Sequence, residues 1–212
     1  MPAMMNARRL RPWLALLALL QPPSAVGAAE PALAARVAAL LARGEQQAAR
    51  GREARGDALT GAGEGAGGGA GLAATVAALE AAGAVPLDRA ADPVPAWRAR
   101  LAGGGDGRRP APPPWRGRTL GAAYQLGQLA PGARYELRQS FLAGQVAEVA
   151  VRAVGPGRLA LAVSSPQGTP LCRTGPAGRA LSCQWLPAFS GAAVITLTSV
   201  GQHGLRYVLV VR

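Results

Sequence analysis

The sequence predicts a mainly β protein. Its C-terminal half reads as an antiparallel, jelly-roll-like β-sandwich, and a small, partly disordered helical region precedes it. Three observations carry this expectation. From about Arg116 onward, period-two alternation of apolar and polar residues replaces a helical stripe. Turn residues punctuate that half about every ten residues, the rhythm of a sandwich. Its glycines and prolines recur too often for helices of useful length.

In chain order, the first element is a leader. "MPAMMNARRLRPWLALLALLQPPSAVGAAEP" has a basic start (Arg8, Arg9, Arg11), an apolar run from Trp13 to Leu20, and then Pro22 and Pro23. Small or permissive residues follow at Val26-Gly27-Ala28, so residues 1–28 read as a signal peptide cleaved after Ala28. The apolar run is far short of the roughly twenty residues that a membrane span needs. No cysteine follows it to carry a lipid anchor, and no other stretch is apolar enough to span. The expected location is therefore the periplasm or the extracellular space.

Residues 29–102 read as helical. Leu33, Val37, Leu40 and Leu41 fall on one stripe, although Gly44 and Gly51 weaken the second half of that helix. "GAGEGAGGGAG" (61–71) contains a formal G-x-G-x-x-G. It lacks the preceding buried strand of a dinucleotide fold, so a flexible linker is expected there and no nucleotide cofactor. A second helix is expected over Leu72–Gly83, and a third over Val94–Gly104 with Trp97 and Leu101 on one face. These alanine-rich faces bury little area each, so the helices are not expected to fold alone. Residues 103–116 are a Gly/Pro-rich linker.

The sandwich is expected over 117–212. "ARYELRQSF", "VAEVAVRAV" and "LALAV" alternate, separated by turns at Gly155-Pro156-Gly157 and "SPQGT". After the cysteine segment come "AVITLTSV", the turn "GQHG" and "LRYVLVV", for seven or eight strands in all.

Cys172 and Cys183 are the chain's two cysteines. In an oxidising compartment such a pair is a disulfide by default, placed here across a turn-rich hairpin. A zinc site needs four ligands, and His203 alone could join the thiols without recruiting carboxylates. The spacing is also far wider than a Cys-x-x-Cys redox pair.

The stretch "YELRQSFLAGQVAEVAVRAVGPGRLALAVSSPQGTPL" resembles the opening half of a bacterial pre-peptidase C-terminal domain. "GQHGLRYVLVV" is similar to that family's closing hairpin with its Tyr-containing last strand. The resemblance covers about residues 117–212. It implies a jelly-roll-like sandwich of the kind appended to secreted enzymes, where such domains aid secretion or bind polymers. Two departures stand out. Residues 29–116 read as helices and linkers and not as a peptidase domain. Some relatives bind calcium through clustered carboxylates, yet no acidic residue follows Glu148, and Glu136 and Glu148 sit apart on strands. No metal site is expected.

Catalytic signals are absent from the sequence. His203 lies in a turn with no acid nearby to orient it. There is no Gly-x-Ser-x-Gly, no His-Glu-x-x-His, and no lysine for a Ser-Lys dyad. Glu80, Asp88 and Asp92 are dispersed on the helical half. The expectation is a protein that is not an enzyme and has no cofactor.

All 23 basic side chains are arginine against 11 acidic ones, a formal charge of +12. The absence of lysine reflects coding bias, but the charge still attracts anionic partners. In an exported protein these are envelope polymers and not nucleic acid. Among the aromatics, Trp115 and Tyr124 are the candidate ligand-stacking residues. Trp185, two residues after Cys183, is expected to pack against the disulfide in the core. The expected function is a noncatalytic exported module that binds an envelope protein or an anionic polymer or glycan. The alternative is an accessory or inhibitor protein of a secreted hydrolase, presenting "RTGPAGRALS" within the 172–183 hairpin as a rigid loop.

Overall fold

The structure is a computed structural model that describes residues 31–58, 67–103 and 121–212. The expected signal peptide (1–28), the glycines at 61–66 and Trp115 lie outside the described residues. Pro31–Arg212 forms one compact unit.

The chain runs α1 (Leu33–Ala58), α2 (Gly67–Ala81), β1 (Val85–Pro86), α3 (Val94–Leu101), β2 (Ala123–Leu129), β3 (Arg134–Phe141), β4 (Ala147–Val154), β5 (Arg158–Ser164), β6 (Pro170–Arg173), β7 (Ala180–Trp185), β8 (Gly191–Val200) and β9 (Leu205–Val211). Two sheets form a sandwich: sheet A in the order β1-β2-β9-β4-β7 and sheet B in the order β3-β8-β5-β6. Every pairing is antiparallel except β1 with β2, which is parallel. The sequence reading missed β1, whose two residues include a proline that only an edge position tolerates.

The expected sandwich core is present. Val149, Val151, Leu159, Leu161, Val163, Ile195, Leu197 and Leu209 interdigitate between the sheets, with Tyr207 and Cys183. A second core lies on the other face of sheet A. There α1 crosses β4 and β9, and Ala34, Val37, Ala38, Leu41 and Ala42 pack on Ala150, Val208 and Val210. The central strands of sheet A therefore bury both faces, which explains why "YVLVV" reads as a continuous apolar run instead of alternating. The alanines of α1 let the helix approach the sheet closely. They form most of its buried stripe, whereas Leu33 and Leu40 are only partly buried.

α1 continues through Gly44 and Gly51 to Ala58, and these two glycines make room for α3. A Cβ at Gly44 would lie 2.4 Å from the Trp97 ring, and one at Gly51 would lie 2.7 Å from the Arg100 guanidinium. Trp97 is 2% exposed and cannot swing away. Arg100 in turn donates from Nη1 to the Ala48 carbonyl at 2.8 Å. The expected linker over 61–71 also proves too long, because α2 already begins at Gly67.

A pair of substitutions separates packing from propensity. Gly44→Ala is expected to destabilise by about 1–3 kcal/mol through overpacking against Trp97, despite alanine's better helix propensity. Gly69→Ala, with open space around its Cβ position, should be neutral or stabilising by up to about 1 kcal/mol. Urea denaturation of both variants checks the opposite signs.

Candidate functional site

The outer face of sheet A is largely taken up by helices. The outer face of sheet B carries no helix or strand among the described residues. Its register defines the surface. One rung is Arg134–Thr198–Ala160, the next Glu136–Thr196–Ala162–Arg173, and the third Arg138–Val194–Ser164. The central floor thus consists of small side chains, with Thr196 and Thr198 offering hydroxyls. Arg134 and Arg138 flank it on β3, and Arg158 and Arg173 flank it on β5 and β6. Three interstrand steps separate β3 from β6, about 14 Å in all. Glu136 is the one carboxylate on these rungs, and it is ion-paired with Arg134. The face is cationic along both sides and able to donate hydrogen bonds.

These residues were not singled out in the sequence. Their signal was present as the polar half of each alternation, "ITLTS" and "RLALAVS", but alternation alone does not distinguish a face left open from one covered by helices.

Tyr124 was expected as a stacking residue, and the structure corrects this. It is 3% exposed in the second core, under the helices. Its hydroxyl donates to Asp92 Oδ1 at 2.6 Å, and the same oxygen accepts the Val94 backbone N–H at the start of α3 at 3.0 Å. Burial above all pushes the Tyr124 hydroxyl pKa up, the hydrogen bond to Asp92 and its charge add to the rise, and Arg98 opposes it. In the other core, burial and then Tyr135 push Tyr207 up to about 12.

Cys172 and Cys183 are bonded, with Cα atoms 6.0 Å apart. They do not staple a hairpin. Cys172 lies on β6 of sheet B and Cys183 on β7 of sheet A, so the bond ties the two sheets together at the sandwich edge. The segment between them is laid along that edge. Leu159 and Gly178 exchange two backbone hydrogen bonds of 2.8 and 2.9 Å, and the Ala153 N–H donates to the Arg179 carbonyl. Arg158 Nε donates to the Ala177 carbonyl at 3.1 Å. Trp185, expected against the disulfide, packs edge-on against Phe141 with ring centroids 4.8 Å apart and is partly buried at the sandwich core.

The carboxylates considered for catalysis have structural partners. Glu80 pairs with Arg98, Asp88 accepts from the Ala90 N–H, and Asp92 holds Tyr124 and Val94. His203 is exposed in the β8–β9 turn. Among the described residues, no group of three or more His, Cys, Asp and Glu side chains converges as metal ligands. Likewise no helix among them is long and apolar enough to cross a membrane.

No family model and no curated protein matches the chain. Among solved structures it is similar to the pre-peptidase C-terminal domain of a collagenase from Bacillus anthracis, at 11% identity over 42% of this chain and 87% of that one, with a TM-score of 0.37. It is also similar to Aeromonas hydrophila PliG, a periplasmic inhibitor of g-type lysozyme, at 17% identity over 42% and 83% of the two chains, with a TM-score of 0.33. A third is the CBM22-1 xylan-binding domain of Paenibacillus barcinonensis Xyn10C, at 16% identity over 33% and 56%, with a TM-score of 0.24. The first of these belongs to the family that the 117–212 segment resembles.

Two measurements check the local geometry. The tyrosine shifts are upward from 10.0, so the folded state keeps protons that the unfolded chain sheds. Stability is therefore full below pH 10 and falls as pH rises above it. Tyr124→Phe should cost about 1–3 kcal/mol at neutral pH, because a hydrogen bond to a charged group is lost. It should also flatten the alkaline decline of the denaturation midpoint. Replacing both cysteines by serine should cost about 3 kcal/mol in the chain-entropy account of a loop this short, read as a lower denaturation midpoint that reductant no longer changes.

Proposed function

We propose that this chain is an exported, noncatalytic β-sandwich module whose open sheet-B face binds an anionic polymer of the cell envelope. The observation that carries this reading is the floor of threonine, serine, alanine and valine side chains between Arg138 on one side and Arg173 on the other, with Arg134 paired to Glu136 and Arg158 hydrogen-bonded to the Ala177 carbonyl beside them. An extended chain bearing carboxylates or phosphates can lie on that floor with its charges directed at guanidinium groups. Guanidinium forks suit such groups in pairs. Glu136 is already neutralised by Arg134, so little repels the ligand. The leader and the disulfide support export into an oxidising compartment.

The alternative, an inhibitor presenting the 172–183 segment, is less well supported by the geometry. That segment is held flat along the sandwich edge by Leu159 and Arg158, which suits a surface better than insertion into a cleft.

The test is cosedimentation of the chain from Ala29 with purified cell-wall sacculi, and titration with an anionic and a neutral polysaccharide, at low and high salt. Saturable binding to the anionic polymer is expected, weakening with salt as screened charges must. Arg138→Ser with Arg173→Ser should weaken it about three- to tenfold, given the modest worth of exposed charge pairs. Equal binding to both polysaccharides, or binding indifferent to the double variant, would refute the proposal.

A further inference from the structure

One end of the sandwich carries large apolar side chains that the fold does not use. The β3–β4 loop exposes Leu142 (45%) and Val146 (54%), and the β7–β8 loop exposes Leu186 (64%) and Phe189 (87%). The two loops are joined. The Ala143 N–H donates to Ser190 Oγ at 2.9 Å, and the Gly144 N–H donates to the Pro187 carbonyl at 3.0 Å. Gly144 takes φ +71°, a value glycine adopts without strain. The four side chains are therefore displayed on one braced tip. Neither "FLAGQVA" (141–147) nor "WLPAFSGA" (185–192) contains a charged residue, and the β5–β6 turn at the same end, "SPQGT" (165–169), has none either. Beneath the tip, Phe141 and Trp185 stack edge-on and anchor both loops to the core.

We propose that this tip inserts into the interface of an anionic lipid bilayer. Four apolar side chains on two uncharged loops offer less than the roughly 800 Å² per partner of a stable protein interface. A bilayer accepts such exposed apolar side chains between its headgroups, as it accepts the apolar face of an interfacial helix. The charge of the body favours an anionic surface. Residues 121–212 hold eight arginines against two glutamates, and both glutamates are ion-paired, Glu136 with Arg134 and Glu148 with Arg212. Arg138 lies three residues before Phe141 on the open face of sheet B, near the plane that headgroup phosphates would occupy. The lipid contact is made by the apolar tip and not by the polymer-binding face, with which it shares only Arg138.

The experiment uses the chain from Ala29, which retains the whole compact unit and lacks the apolar leader. Flotation is measured with vesicles of phosphatidylcholine alone and of phosphatidylcholine and phosphatidylglycerol in equal parts, without any polymer. Binding to the anionic vesicles is expected, weaker to the neutral ones and reduced by salt. Phe189→Ser should lower the partition coefficient on the order of tenfold, and Phe189→Ser with Leu186→Ser further, since each removes a large apolar side chain that the bilayer would bury. Both positions are exposed, so near-ultraviolet circular dichroism should be unchanged. Absence of vesicle binding, or binding unaltered in the double variant, overturns the proposal. A concentration-dependent dimer that the same substitutions abolish would assign the tip to a second copy of the chain and also overturn it.

Discussion

Glu148 joins three distant parts of the chain. Its Oε2 accepts the backbone N–H of Ala34, in the first turn of α1, at 3.0 Å. Its Oε1 takes Gln184 of β7 at 3.3 Å and Arg212 at 3.4 Å. A carboxylate this well buried is costly unless its oxygens are satisfied. The free N–H groups and positive dipole end of a helix satisfy it, and the carboxylate in turn caps the helix. A second anchor, Arg206 of β9 with the buried Glu45, secures α1 further along its length. Between these polar contacts the alanines of α1 lie on β4 and β9. The helix is thus fixed in position by polar groups and held there by apolar area.

The division of labour between the two sheets follows from that seat. With α1 on sheet A, and with α2 and α3 packed beside it, Tyr124, Leu126 and Ala150 lose their role as surface. Sheet B keeps one face that no helix covers among the described residues, where the arginines are exposed and the threonines half-buried. The disulfide serves the same arrangement by tying an edge strand of each sheet together. The open face is thus cross-linked at its edge, and the loops at its end are hydrogen-bonded to each other.

Most of the strand pattern was legible in the sequence because each strand has one face in the sandwich core. Period-two alternation at Tyr135, Leu137 and Phe141, or at Leu159, Leu161 and Val163, needs only that local condition. Two kinds of feature were not legible. Gly44 and Gly51 looked like helix weakeners because their meaning lies in Trp97 and Arg100, about fifty residues away. Tyr124 looked like a surface aromatic because a single tyrosine on a strand carries no mark of which layer covers it.

The sequence by itself determined the mainly β character of the C-terminal half, most of its strands, the cysteine pairing and the positive charge. These depend on local propensity, on the composition of each segment and on there being two cysteines in the chain. The tertiary structure alone decided which sheet face is open, that the disulfide crosses between sheets, and that Leu142, Val146, Leu186 and Phe189 share one tip. Each of those is a relation between segments remote in sequence, set by Glu148 beneath α1 and by the pairing of loops through Ser190 and Pro187. Neither composition nor periodicity records such a relation, because both are summed along the chain and not across it.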